Sequence, residues 1–93
     1  MLEAEFKRLK EILKAKKARS AIILSNTRYS IILDGNVFVE DKYTGDQIKW
    51  FQAFGNKSIV DILKYFKIEK IILTVKDKEY NFKDIQEVIA FLE

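Results

Sequence analysis

The side chains here that could do chemistry are carboxylates, amines and phenols, because the chain contains neither histidine nor cysteine. A Ser-His-Asp or Cys-His nucleophile system is therefore ruled out, as is a zinc site built on imidazole or thiolate. No side chain titrates near neutrality without a perturbed pKa. An enzyme made from these residues would rely on Asp, Glu, Tyr or a lysine of depressed pKa. The densest acidic grouping, Glu40, Asp41 and Asp46, surrounds one expected loop and offers the oxygens that Mg²⁺ or Ca²⁺ prefers. Its spacing departs from an EF-hand loop, because with Asp41 as first ligand the twelfth position is Gln52. Solvation of a strand end and capping of the next helix account for all three acids. Asp77 and Glu79 fall in a charged turn, a usual place for them. We assign no catalytic residue, metal or cofactor on these grounds.

Two groups suit recognition better. The opening segment, residues 1–20, holds seven basic residues and three acids, so the whole formal excess of +3 lies there and the rest sums to −1. Projected at 100° per residue, Lys7, Lys10, Lys14 and Lys17 form one row beside an apolar stripe, with Arg8 and Arg19 on the opposite flank. Such a row could track the phosphates of a nucleic acid. Glu3 and Glu11 interrupt it, and lysines outnumber arginines fourteen to three, whereas bidentate phosphate and base readout favours Arg. These facts favour a solvated helix face as the explanation of the row. The second group is Tyr43, Trp50, Phe51 and Phe54. Ile48 and Phe51 share one helical face and Trp50 and Phe54 another, so a short helix cannot bury all four on one side. Trp and Tyr are enriched at interface hot spots, although aromatics mostly serve cores.

The elements that must position these residues can be read from periodicity. Leu2, Phe6, Leu9 and Leu13, widened by Ile12, predict a helix from about Leu2 to Ala18. The run Ala21-Ile22-Ile23-Leu24 and the alternation of Tyr29, Ile31 and Leu33 predict two strands with a turn at Ser25-Asn26-Thr27. Asp34-Gly35-Asn36 predicts a type I′ hairpin leading into Val37-Phe38-Val39. Thr44-x-x-Gln47, with Asp46 as a competing N-cap, predicts a helix through Phe54, closed by Gly55. Ser58-x-x-Asp61 opens another helix to about Phe66. Ile71–Val75 and Tyr80–Phe82 read as a hairpin across Lys76–Glu79, and Asp84-x-x-Glu87 caps a last helix with Ile85, Val88, Ile89 and Leu92 as its core stripe.

The expected fold is a single α+β domain over residues 1–93, in the order α-β-β-β-α-α-β-β-α, with a largely antiparallel sheet of about five strands packed by four helices. Three strand stretches (Ile22-Ile23-Leu24, Ile31-Ile32-Leu33 and Ile71-Ile72-Leu73) are apolar on both faces. Such a sheet needs cover on each side, either two helices per face or a second copy of the chain. Two-fold pairing is the commonest solution among soluble chains, so a homodimer is expected.

The opening MLEAEFKRLKEILK lacks the apolar stretch of a signal peptide. The longest apolar run, Val88–Leu92, falls far short of the ~20 residues of a membrane span. No membrane association and a cytoplasmic location are expected. Abundant Ile, Lys, Phe, Tyr and Asn suit an AT-rich genome such as that of a phage or other mobile element. The composition therefore points to a small non-enzymatic protein-interaction module: a regulator, adaptor or inhibitor. The alternatives are a nucleic-acid-binding accessory protein using the basic N-terminal helix and an enzyme using carboxylates or Lys.

Overall fold

The computed structural model describes residues 2–93. Helix α1 (Leu2–Ala15) buries Phe6, Leu9, Ile12 and Leu13, the stripe its spacing implies. It stops three residues before the expected Ala18, where Lys17 enters the left-handed region at φ 54°. There the Lys17 N–H donates to the Lys14 carbonyl at 3.2 Å and the Ala18 N–H to the Leu13 carbonyl at 2.9 Å. These are the two bonds of a Schellman cap, with a lysine where glycine is usual. Ala18 and Leu13, both buried, close it.

The chain then meanders through β1 (Arg19–Leu24), β2 (Tyr29–Asp34), β3 (Asn36–Asp41) and the two-residue β4 (Gln47–Ile48). Helices α2 (Trp50–Phe54) and α3 (Ile59–Tyr65) carry it back, so that β5 (Ile68–Val75) pairs on the free side of β1. Strand β6 (Lys78–Phe82) and helix α4 (Ile85–Leu92) complete the chain. The sheet order is β4-β3-β2-β1-β5-β6, and every neighbouring pair is antiparallel. This is the α+β domain expected, with one strand more. Among the described residues no helix is long and apolar enough to cross a membrane.

Two local expectations are corrected. Residues 47–48 are strand, pairing with Val39 and Glu40, so α2 begins only at Trp50, after Lys49 and without a side-chain cap. At Asp34-Gly35-Asn36 only Gly35 has positive φ. The register runs to Asp34↔Asn36 and leaves Gly35 alone at that bend, rather than the two residues of a type I′ turn. Two successive positive-φ residues occur instead at Lys76 and Asp77, where Val75↔Lys78 leaves a two-residue loop. The caps of α3 and α4 form as expected: Ser58 and Asp61 make both bonds of a capping box, and Asp84 accepts from the Glu87 N–H.

Among the described residues all four helices lie on one side of the sheet, so the arrangement of two helices per face is not adopted. Their buried side chains join Ile22, Leu24, Ile31, Leu33, Val39, Ile71 and Leu73 in one core. The central row runs Val39–Ile31–Ile22–Ile71–Phe82 across five strands. Each fully buried Ile or Leu in it contributes roughly 1.5–3 kcal/mol of transfer free energy. A register irregularity after Ile23 shifts the pairing so that Leu24 sits opposite Ile68, keeping both on the core side.

Ser20 is the misfit of this core. It is fully buried between Leu33 and Leu73 on the neighbouring strands, and its hydroxyl has no hydrogen-bond partner. A buried hydroxyl without a partner keeps its desolvation penalty, so Ser20→Ala should raise the unfolding free energy by about 1 kcal/mol. Urea denaturation measures this, and a fall in stability would show that the hydroxyl is satisfied after all.

Candidate functional site

Strand alternation turns Ala21, Ile23, Ile32, Phe38 and Ile72 to the side away from the helices, and none of them joins the core. One row crosses this open face as Phe38–Ile32–Ala21–Ile72–Asn81. Beside it runs Glu40–Ser30–Ile23–Lys70, and on the other side lie Asp34, Arg19, Thr74 and Glu79. The face is thus apolar through its middle and charged along both borders. Arg19 and Glu40 belong to opposite borders and to strands two apart, yet Arg19 Nη2 comes within 3.9 Å of Glu40 Oε2. Their side chains must cross the middle row to meet. That crossing explains why Ile32 (1%) and Ser30 (3%) are buried although no helix covers them. The aliphatic stem of an arginine can cover apolar surface in this way while its head stays wet. The ion pair itself, with both side chains partly exposed, contributes little.

The four aromatic candidates divide. Phe54 is buried at the centre of an aromatic cluster, edge-to-face with Trp50 (ring centroids 4.9 Å apart) and Tyr29 (5.6 Å) and tilted against Phe66 (6.3 Å). Trp50 is half-buried, and its indole N–H donates to the Lys57 carbonyl at 2.8 Å, tying α2 to the loop before α3. Both hold α2 onto the sheet. Phe51 (69% exposed) and Tyr43 (77%) face solvent. Tyr65, which the sequence did not single out, is 81% exposed and stacks edge-on against Phe66.

The lysine row is exposed along its length. Lys10 lies over the Phe6 ring at 5.4 Å. Lys17 falls beyond the end of α1, and there Lys14, Lys17, Arg19 and Lys76 border one open hollow together with Asp34 and Asp77. Lys7 lies apart from it. Four cations from three separate segments therefore converge, although two carboxylates share the site.

The three loop acids diverge. Glu40 points to the open face, Asp46 is exposed, and Asp41 is buried on the core side. Asp41 Oδ2 accepts from Arg28 Nε at 2.6 Å, and its Oδ1 accepts from the N–H groups of Tyr43 at 2.8 Å and Thr44 at 3.2 Å. Its backbone closes the same loop: the Gly45 N–H donates to the Asp41 carbonyl, and the Asp41 N–H donates to the Asp46 carbonyl. Gly45, at φ 78°, allows the turn. The Thr44 hydroxyl accepts from the Asp46 N–H within this knot and so does not cap a helix. Among the described residues no three acids converge as a metal site would require.

Burial alone would push the Asp41 carboxyl up, but the Tyr43 N–H, the Arg28 guanidinium and the Thr44 N–H outweigh it and hold it below its usual value. A depressed folded pKa stabilises the native state above the unfolded value of about 4, and this contribution disappears as the pH falls toward the folded value. Asp41→Asn keeps an oxygen for the two loop amides and loses the charge. It should therefore lower stability at pH 7 and flatten the loss of stability below about pH 4. Thermal melts from pH 7 to pH 2 test this, and an unchanged acid slope would contradict it.

The chain matches no protein-family model, no curated protein and no solved structure.

Proposed function

We propose that this chain is a small, non-enzymatic protein-interaction module, a regulator, adaptor or inhibitor that also pairs with itself as a homodimer. One observation carries the reading: a six-stranded sheet with every helix on one face and a band of Ala, Ile and Phe on the other. An apolar band framed by charges has the composition of an interface, with an apolar centre and a polar rim. Tyr43 and Phe51, each exposed, are further contact candidates for a larger protein. The acids and lysines that catalysis would need support no contrary reading. The carboxyl group with a shifted pKa, Asp41, is committed to Arg28 and to its own loop.

Ile72 sits at mid-face outside the core, so Ile72→Lys should leave the melting temperature within a few degrees of wild type. Affinity capture from the native cell with wild-type and Ile72→Lys baits, read by mass spectrometry, should show the variant losing what the wild type retains. A folded variant that retains the same proteins in the same amounts would overturn the reading.

The hollow at the end of α1 favours a second reading, a nucleic-acid-binding accessory protein. Here Arg19 and Lys76 add to Lys14 and Lys17, with Lys7 and Lys10 extending the row along the helix. Binding would then weaken steeply with salt, and Lys14→Ala/Lys17→Ala would reduce the log–log slope by about 2. A low-salt titration with DNA and RNA that shows no binding would dismiss it.

A further inference from the structure

We infer that the occupant of the open sheet face is a second copy of this chain, related by a two-fold axis that lies in the interface along the strands between β1 and β2. This rests on the reading of that face as an interaction surface and adds its partner and geometry. Such an axis sets β1 over the partner's β2 and β5 over the partner's β3, at the same height along the strands. The rows then meet row for row. Ile72 faces the partner's Phe38, and Ala21 faces the partner's Ile32, so the apolar bands coincide. In one border row Lys70 faces the partner's Glu40, and in the other Arg19 faces the partner's Asp34. Each pairing occurs twice, as a two-fold contact requires.

The charge pattern selects this axis. A two-fold axis across the strands instead sets Lys70 over the partner's Thr74 and Glu40 over the partner's Asn36, leaving both charges unmatched. Within one chain, among the described residues, Lys70 and Asp34 have no ion-pair partner, and Glu40 has only the loose 3.9 Å contact with Arg19. Aligned sheets pack about 10 Å apart at about 30°. The resulting offset is a few ångströms, within reach of Lys, Arg and Glu side chains. Pairing releases Arg19 and Glu40 from each other, which uncovers Ile32 for contact.

The area sets the strength. The axis superposes four strands of each copy in full, β3, β2, β1 and β5, which at ~4.8 Å spacing and six residues of ~3.3 Å give a face of roughly 400 Å² per copy. About 800 Å² in total lies below the usual size of a stable pair, which implies weak association, at micromolar rather than nanomolar concentration.

The test exchanges charges between copies. Lys70→Glu and Glu40→Lys, each alone, place like charges opposite one another at two points and should raise the dissociation constant more than ~ten-fold. Mixed together, the two variants restore opposite charges at both points and should form a one-to-one heterodimer at wild-type strength. Sedimentation equilibrium and native mass spectrometry read all three samples, and circular dichroism confirms that each variant folds. Weakened single variants with a restored mixture support the inference. A wild type that stays monomeric at ~100 μM overturns the second copy as occupant, while the face reading stands or falls on the Ile72→Lys capture. A wild-type dimer indifferent to both substitutions and to Ile72→Lys overturns both and moves association elsewhere, such as the outer edge of β6.

Discussion

The central position of β1 is the constraint on which the rest depends. It is hydrogen-bonded on both sides, to β2 and to β5, and Ile22 stands between Ile31 and Ile71 with all three fully buried. A slip of one residue on either side would send Ile22, Leu24 and their partners to the wrong face. With the register held, the positions between them (Arg19, Ala21 and Ile23) are delivered together to the open face. Helices α1 and α4 pack on each other above the core side, where Leu9 and Val88 are fully buried. The same register thus makes both the core and the uncovered surface.

The two faces solve one problem differently. On the core side, helical Phe, Leu and Ile replace water over the strands. On the open side no helix of the described residues lies, and the strands' own long side chains do part of the covering. Arg19 and Glu40 lie over Ile32, and the price is a charged pair in weak contact. A cover of this kind costs little to remove, because an exposed ion pair contributes less than about 1 kcal/mol. The face can therefore be wet and closed in one state and dry and paired in another, which is the property the proposed dimer needs.

Elsewhere, side chains with a plausible local role are taken up by longer-range ones. Thr44 and Gln47 have capping-box spacing, but the buried Asp41 gathers the amides of Tyr43 and Thr44 and draws Arg28 onto itself. The chain leaves that knot extended, and Gln47–Ile48 joins the edge of β3. A helix start there would forgo the two β3 pairings and leave the Asp41 amide without the Asp46 carbonyl. Trp50 and Phe54 follow the same logic: the indole finds the Lys57 carbonyl and Phe54 finds Tyr29, so the half of the aromatic group that could have been surface is structural.

Much of this architecture was legible in the sequence because it depends on residues near one another. The stripe from Phe6 to Leu13, the alternation in β2, the Ser58 and Asp84 caps and the absence of His and Cys are local facts, and each carried through to the structure or to the exclusions drawn from it. The doubly apolar strands also announced a sheet with apolar side chains on both faces. Which face the helices would take was not readable, because it follows from the pairing of β1 with β5 across more than forty intervening residues. The same is true of the border charges: Arg19, Asp34, Glu40 and Lys70 are scattered along the chain and gain a common surface only through cross-strand register. Periodicity determines which side chains share a face of one element. Only the tertiary structure decides which elements share a face with each other, because that choice is made by the burial of the whole core at once.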